Sequence, residues 1–193
     1  MIILSKYPGL LKGRSLKSGL LLIFLAFFLQ NNTYAQSREY TLKAVYIEKF
    51  TRFTNWPPGC GIENKEEPFS VYVLGNQAFS KTLKNIFSIQ KIYQKPVEVN
   101  LLDKWKEMDA CHILYISGDY EEELSEILEY IKGRSVLTIS DTEGFAEKGV
   151  IINFYIERNK LRFEVNETAL HESPLEMNFF LLDMAKIVDP LKK

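Results

Sequence analysis

Three short and almost uninterrupted apolar runs constrain this chain more than anything else: FSVYVLGN (69–76), CHILYIS (111–117) and SVLTIS (135–140). Apolar runs of this length, closed by Gly, Asn or Ser, read as strands buried on both faces, the habit of a parallel sheet. Between the runs the period changes. AFSKTLKNIF places Phe79, Leu83, Ile86 and Phe87 on one helical face, and KPVEVNLL alternates as a further strand. DKWKEMDA reads as a short helix or turn. DYEEELSEILEYIKG has Asp119 and Glu122 at capping-box spacing and Gly133 as a stop. Strands alternating with helices imply right-handed crossovers and helices on both faces of the sheet.

The two ends break this rhythm. EYTLKAVYIEKFTRFTNW, from Glu39, sets Leu42, Val45, Tyr46, Phe50, Phe53 and Trp56 at spacings of three and four. Lys43, Glu48, Thr51, Arg52 and Asn55 fall largely on the other side, which predicts an amphipathic helix stopped by Pro57 and Pro58. Its aromatic stripe reads as core, with docking of a partner through Trp56 and Pro57 as the second reading. Near the other end, GVIINFYIE and KLRFEVN flank Arg158 and Asn159 as a hairpin. LEMNFFLLDMAKIV has Met177, Phe180, Leu181, Met184 and Ile187 at helical spacing and opens after Ser173-Pro174, predicting a closing helix. The expected fold is α/β, a single domain with a mostly parallel sheet of about six strands, helices on both faces and a C-terminal antiparallel hairpin.

Residues 1–35 stand apart. Lys6, Lys12, Arg14 and Lys17 form a positive front with no acid before Glu39, and GLLLIFLAFFL (19–29) follows. That run is short of the roughly 20 residues a bilayer span needs. With Thr33 and Ala35 as small residues at the exit, it reads as a cleavable secretory signal cut after Ala35, leaving 36–193 as the folded domain. Removing it leaves 20 bases against 25 acids and no basic stripe, so nucleic acid is a poor partner and no direct membrane insertion follows cleavage. Cys60 and Cys111 are the only cysteines. An oxidising compartment permits a bridge, which would close a loop of about 50 residues and contribute roughly 4 kcal/mol on the chain-entropy model. Two separate thiols are the equal alternative.

Motifs for catalysis are scarce. LGNQAF carries one glycine where a dinucleotide fingerprint needs three, and neither a phosphate-binding loop nor a G-x-S-x-G elbow occurs. Cys111 and His112 are neighbours in a strand and point to opposite faces, so they do not share a metal. His171, beside Glu172, reads as solvated. No catalytic residue, metal or cofactor is expected. One polar constellation stands at the carboxyl ends of the predicted strands, where open parallel sheets place ligands. It comprises Asn76, Ser117, Asp119, Ser140 and Asp141, which either line a small crevice or cap the turns and helices that follow.

Taken together, YTLKAVYIEKFTRFTNWP, PFSVYVLGN, KPVEV, CHILYIS, SVLTISDTEGFAEKGVIINFYIERNKLRFEVN and FLLDMAKIV resemble the YfiR-like family of exported bacterial regulators. The resemblance runs from about Glu39 to Val188, and its specific parts are the helix ending in Trp-Pro and the GFAEKG…INF…RFEVN block. It implies a periplasmic α/β domain that is not an enzyme. Such a domain binds the periplasmic part of a membrane-bound signalling protein, a diguanylate cyclase, and restrains it; relatives also dimerise. A periplasmic sensor of small molecules, using the crevice, is the alternative. Gly149 and Val150 stand where the family commonly has a glycine pair. Cys111 matches a position often cysteine in relatives, but SVYVLG offers it no partner, so a bridge to Cys60 would be a shifted one.

Overall fold

Each apolar run does form a strand. The structure is a computed structural model describing residues 36–188; the segment read as an export signal lies outside them. In chain order the elements are helix α1 (residues 36–52), β1 (Thr54–Asn55), β2 (Phe69–Leu74), α2 (Gln77–Phe87), β3 (Val97–Leu102), β4 (Ile113–Ile116) and α3 (Leu124–Ile131). Then come β5 (Leu137–Ser140), β6 (Ile152–Glu157), β7 (Lys160–Asn166), α4 (Glu167–Glu172), β8 (Glu176–Met177), α5 (Phe179–Asp183) and β9 (Lys186–Val188). Short 3₁₀ turns sit at Trp105–Glu107 and Gly118–Tyr120.

The main sheet has seven strands in the order β3-β2-β4-β5-β6-β7-β9. From β3 to β6 all neighbours are parallel; β6 and β7 form the antiparallel hairpin, and β9 lies parallel to β7. Arg158 and Asn159 turn the hairpin with φ of 49° and 59°, the left-handed pair that a tight two-residue turn demands. Counted from β2, the parallel strands run 2-1-3-4-5, and the order reverses between β2 and β4. Crevices for ligands open at such reversals, beyond the carboxyl ends of the strands.

Two apolar layers cover the sheet. On one face α1 (Tyr40, Ala44, Ile47, Phe50) and α2 (Phe79, Leu83, Phe87) meet Val71, Val73, Ile113, Ile139, Phe154 and Phe163. Phe50 is fully buried, its ring 5.5 Å from that of Phe154 and 4.9 Å from that of Phe163. On the other face α3 (Leu124, Ile127, Ile131), Trp105 and Phe145 cover Leu74, Leu114 and Ile116.

Three details differ from the sequence expectations. First, the inward face of α1 is rotated: Leu42 and Val45 are exposed, whereas Lys43 and Thr51 are buried. The first turns of α1 overhang the polar ends of β4 and β5, so a polar residue faces inward there, and Thr51 satisfies its hydroxyl on Glu48 O at 2.6 Å. The helix also ends at residue 52, ahead of the prolines, because Thr54 and Asn55 pair with Met177 and Glu176 of β8. Second, 175–188 is not one helix. Asn178 caps a five-residue α5 by accepting from Phe180 N, and β8 and β9 take the flanks into strand pairing. Phe180, Met184 and Ile187 are consequently exposed instead of facing a core. Third, Asp119 does not cap α3; it lies in the 3₁₀ turn, and α3 begins at Leu124 without a side-chain cap. Gly133 ends α3 as expected, with φ of 73°.

Candidate functional site

Beyond the carboxyl ends of β2, β4 and β5 lies a polar cluster built by four segments, these three strand ends and α1. Asn76, just after β2, caps α2 by accepting from Phe79 N at 2.9 Å, and its Nδ2 donates to Tyr40 Oη of α1 at 3.2 Å. Tyr115 of β4 donates its phenol to Asp141 Oδ1, just after β5, at 2.5 Å. The other carboxylate oxygen of Asp141 accepts from Lys43 Nζ at 2.5 Å, and Lys43 also pairs with Glu39 at 2.5 Å. The Lys43 side chain is only 3% exposed and that of Asp141 24%. α1 therefore reaches down with a tyrosine and a lysine and fills the place where the strand order reverses.

The electrostatics follow from this closure. Burial alone would lower the Lys43 pKa, but the Asp141 carboxylate, joined by Glu39, outweighs it and holds the ammonium above its usual value. Burial first, then the neighbouring Asp141 charge, push the Tyr115 phenol up. A nucleophilic lysine needs the opposite shift, and a phenol held protonated is a poor base. The arrangement is a clasp between α1 and the sheet.

The predicted crevice residues thus separate. Asn76 and Asp141 belong to the clasp. Ser117 and Asp119 pair with each other at 3.3 Å beside Gly75, whose φ is 85°. A Cβ at Gly75 would stand 2.2 Å from Ser117 Oγ, so glycine is what lets the turn after β2 pass the end of β4. Ser140 is buried and stitches β5 to β4 by donating to Ile116 O at 2.7 Å while accepting from Thr142 N. Each of these five residues thus makes a hydrogen bond within the structure itself. Tyr40, Lys43 and Tyr115 were missed. For Tyr40 and Lys43 the signal was the spacing from Tyr40 through Lys43 and Ile47 to Phe50, which fits a helical face once a lysine is allowed on it; Tyr115 lies within the apolar run of β4 and carried none.

At the opposite end of the sheet Cys60 and Cys111 line one cleft of about 570 Å³ with Asp109, His112 and Arg134. The two cysteines are unbridged in this structure. Cys111 donates its thiol to Ile113 O at 3.0 Å, and burial pushes that thiol up. His112 stacks on Phe69 at 4.5 Å, and its Nδ1 accepts from Ser70 N at 3.0 Å, a core histidine. Burial, then the charge of Lys95, lower its pKa. Lys95 is fully buried and its Nζ donates to Gly61 O, which seats the loop carrying Cys60. Trp56 packs edge-on against Phe69 at 5.7 Å and donates to Thr51 O at 3.4 Å, so this end of the stripe is largely internal. His171 is exposed at the end of α4.

Among the described residues no helix is long and apolar enough to cross a membrane, and no group of three or more His, Cys, Asp or Glu side chains is placed to hold a metal. No curated protein matches the chain. Residues 40–186 do match a family model, described as YfiR/HmsC-like, over almost all of the described structure. The chain belongs to this YfiR/HmsC-like family, whose members are periplasmic regulators rather than catalysts.

Proposed function

We propose that this chain, exported by the signal in residues 1–35, is a non-enzymatic periplasmic regulator of a membrane signalling protein. It binds the exported domain of that protein, a diguanylate cyclase, and restrains its output. The observation that carries this reading is the family match across residues 40–186. The clasp supports it. The crevice at the strand reversal is filled by Tyr40 and Lys43 of the chain itself, with their charges and hydroxyls mutually paired. That crevice is therefore taken up by the chain's own side chains, which favours recognition elsewhere on the domain.

The physics of restraint is differential binding: the regulator has only to prefer the inactive partner. Moving a partner from almost wholly active to almost wholly inactive takes about 5.5 kcal/mol of preference. Deleting the gene raises the cyclic dinucleotide level of the cell, and supplying the exported chain in trans brings it back down. An unchanged level in the deletion strain refutes the reading.

A further inference from the structure

Helix α5 is anchored chiefly by Leu181, with Leu182 partly buried beside it. Leu181 is 2% exposed and points into the core, while Phe179 and Phe180 are 73% and 71% exposed with ring centroids 6.4 Å apart. Met184 (62%) and Ile187 (43%) extend the apolar surface to β9, the last strand at that end of the sheet. A phenylalanine offers roughly 150–250 Å² in all, so the two rings alone leave about 220–360 Å² open to water. A single scattered apolar residue on a surface means little, whereas a contiguous patch of a few hundred Å² matches the largest on a typical monomer, which is often functional. It falls short of the roughly 800 Å² each partner commits to a stable interface, so it would be the apolar centre of a larger one.

The rim says what fits. Glu176, just before α5, and Asp183, at its end, are both exposed, and between Glu176 and the end of β9 there is a single lysine. That lysine, Lys186, is engaged by Glu164 at 3.0 Å. Asp183 stands one helical turn from Phe179 and is exposed. A second copy of the chain would set these carboxylates against each other, and an anionic lipid surface would be repelled in the same way.

Resting on the regulator reading above, we infer that α5 and β9 form the docking face, and that its occupant is a basic-flanked apolar segment in the exported part of the membrane partner. The rings of Phe179 and Phe180 supply the buried centre. Glu176 and Asp183 select the basic flank, so association weakens as salt is raised.

Two experiments test this. In cells, a photo-crosslinking amino acid replaces Phe179, with Ile89 as the control, an 87% exposed site after α2 beside the β3 edge of the sheet. Position 179 yields an adduct with a membrane protein whose activity rises when the regulator gene is deleted, and Phe180→Ser diminishes that adduct. With the purified exported chain, an amphipathic Leu/Lys helical peptide binds more tightly than its Leu/Glu counterpart. The Phe179→Ser/Phe180→Ser variant, checked to melt as the parent does, loses about tenfold of that affinity. If deletion raises output but the adduct forms from position 89 and not from 179, this face is wrong and the regulator reading stands. An adduct of two copies of the chain, or equal binding of the Leu/Glu peptide, overturns the acidic-rim argument. If neither output nor adduct responds, both readings fall.

Discussion

Replacing Lys43 by Met is the sharpest probe of how α1 is held. Methionine keeps the length and apolar volume of the stem but leaves the Asp141 carboxylate facing the gap, with only the Tyr115 hydroxyl to serve it. Removing one partner of a buried pair costs about 3–5 kcal/mol, chiefly because the surviving charge is stranded. Asp141 keeps 24% of its side chain in contact with solvent and Glu39 40%, so the lower end applies, about 3 kcal/mol. For chains of this length each kcal/mol moves Tm by about 2–4 °C, so the variant melts about 6–12 °C below the parent. Asp141→Asn leaves the lysine with Glu39 as its remaining partner at 2.5 Å and so costs less. Combining the two removes both charges, and the double variant recovers about 2 kcal/mol or more relative to the sum of the singles. Urea and thermal melts followed by circular dichroism supply the three differences, and amide exchange in the first turns of α1 accelerates in each single variant. Additive losses, or a Lys43→Met shift below about 2 °C, would refute the reasoning that a desolvated ion pair anchors this helix.

Three further outcomes follow from the geometry. Gly75→Ala places a methyl carbon on Ser117 Oγ at a positive φ and costs about 2 kcal/mol or more, and Ser117→Gly in the same background restores part of it, by the same melts. His112 binds its proton less readily folded than unfolded, so stability declines as pH falls through the unfolded value of about 6.5 toward the lower folded one, by at most about 1.4 kcal/mol per pH unit. His112→Asn, whose carbonyl still accepts from Ser70 N, flattens that slope between pH 7 and 5; an unaltered slope would assign it elsewhere. In native reduced protein, iodoacetamide labels Cys60 well before Cys111, whose partly buried thiol donates to Ile113 O and is held protonated by desolvation, and mass spectrometry showing equal rates would contradict this.

The sequence made some parts of this molecule readable and hid others for identifiable reasons. β2, β4 and β5 were legible because strands covered on both faces carry apolar side chains almost without a break. The hairpin was legible because Arg158 and Asn159 interrupt two alternating stretches. The segment 175–188 was misleading: Met177, Phe180, Leu181, Met184 and Ile187 fit a helical period, but pairing of β8 with β1 and of β9 with β7 is non-local and leaves no trace in that period. The same holds for the clasp. Asn76 and Asp141 could be placed from the rule about strand ends. Lys43 and Tyr40 join them only because α1 lies over those ends, and Tyr115 only because β4 pairs with β5; both are tertiary facts. A lysine on the inner side of an amphipathic pattern looks like a solvated face until its partner, 98 residues later, is known.

The seat of α1 has a consequence for how the chain matures. Phe50 belongs to α1, the earliest of the described elements along the chain, yet its ring is enclosed by Phe154 and Phe163 of the hairpin. Contacts of such long range are formed late and slowly. During synthesis α1 therefore stays unhoused until the hairpin, late in the described residues, has been made. A product cut short before the hairpin is left with bare aromatic rings, a ready mark for quality-control proteases.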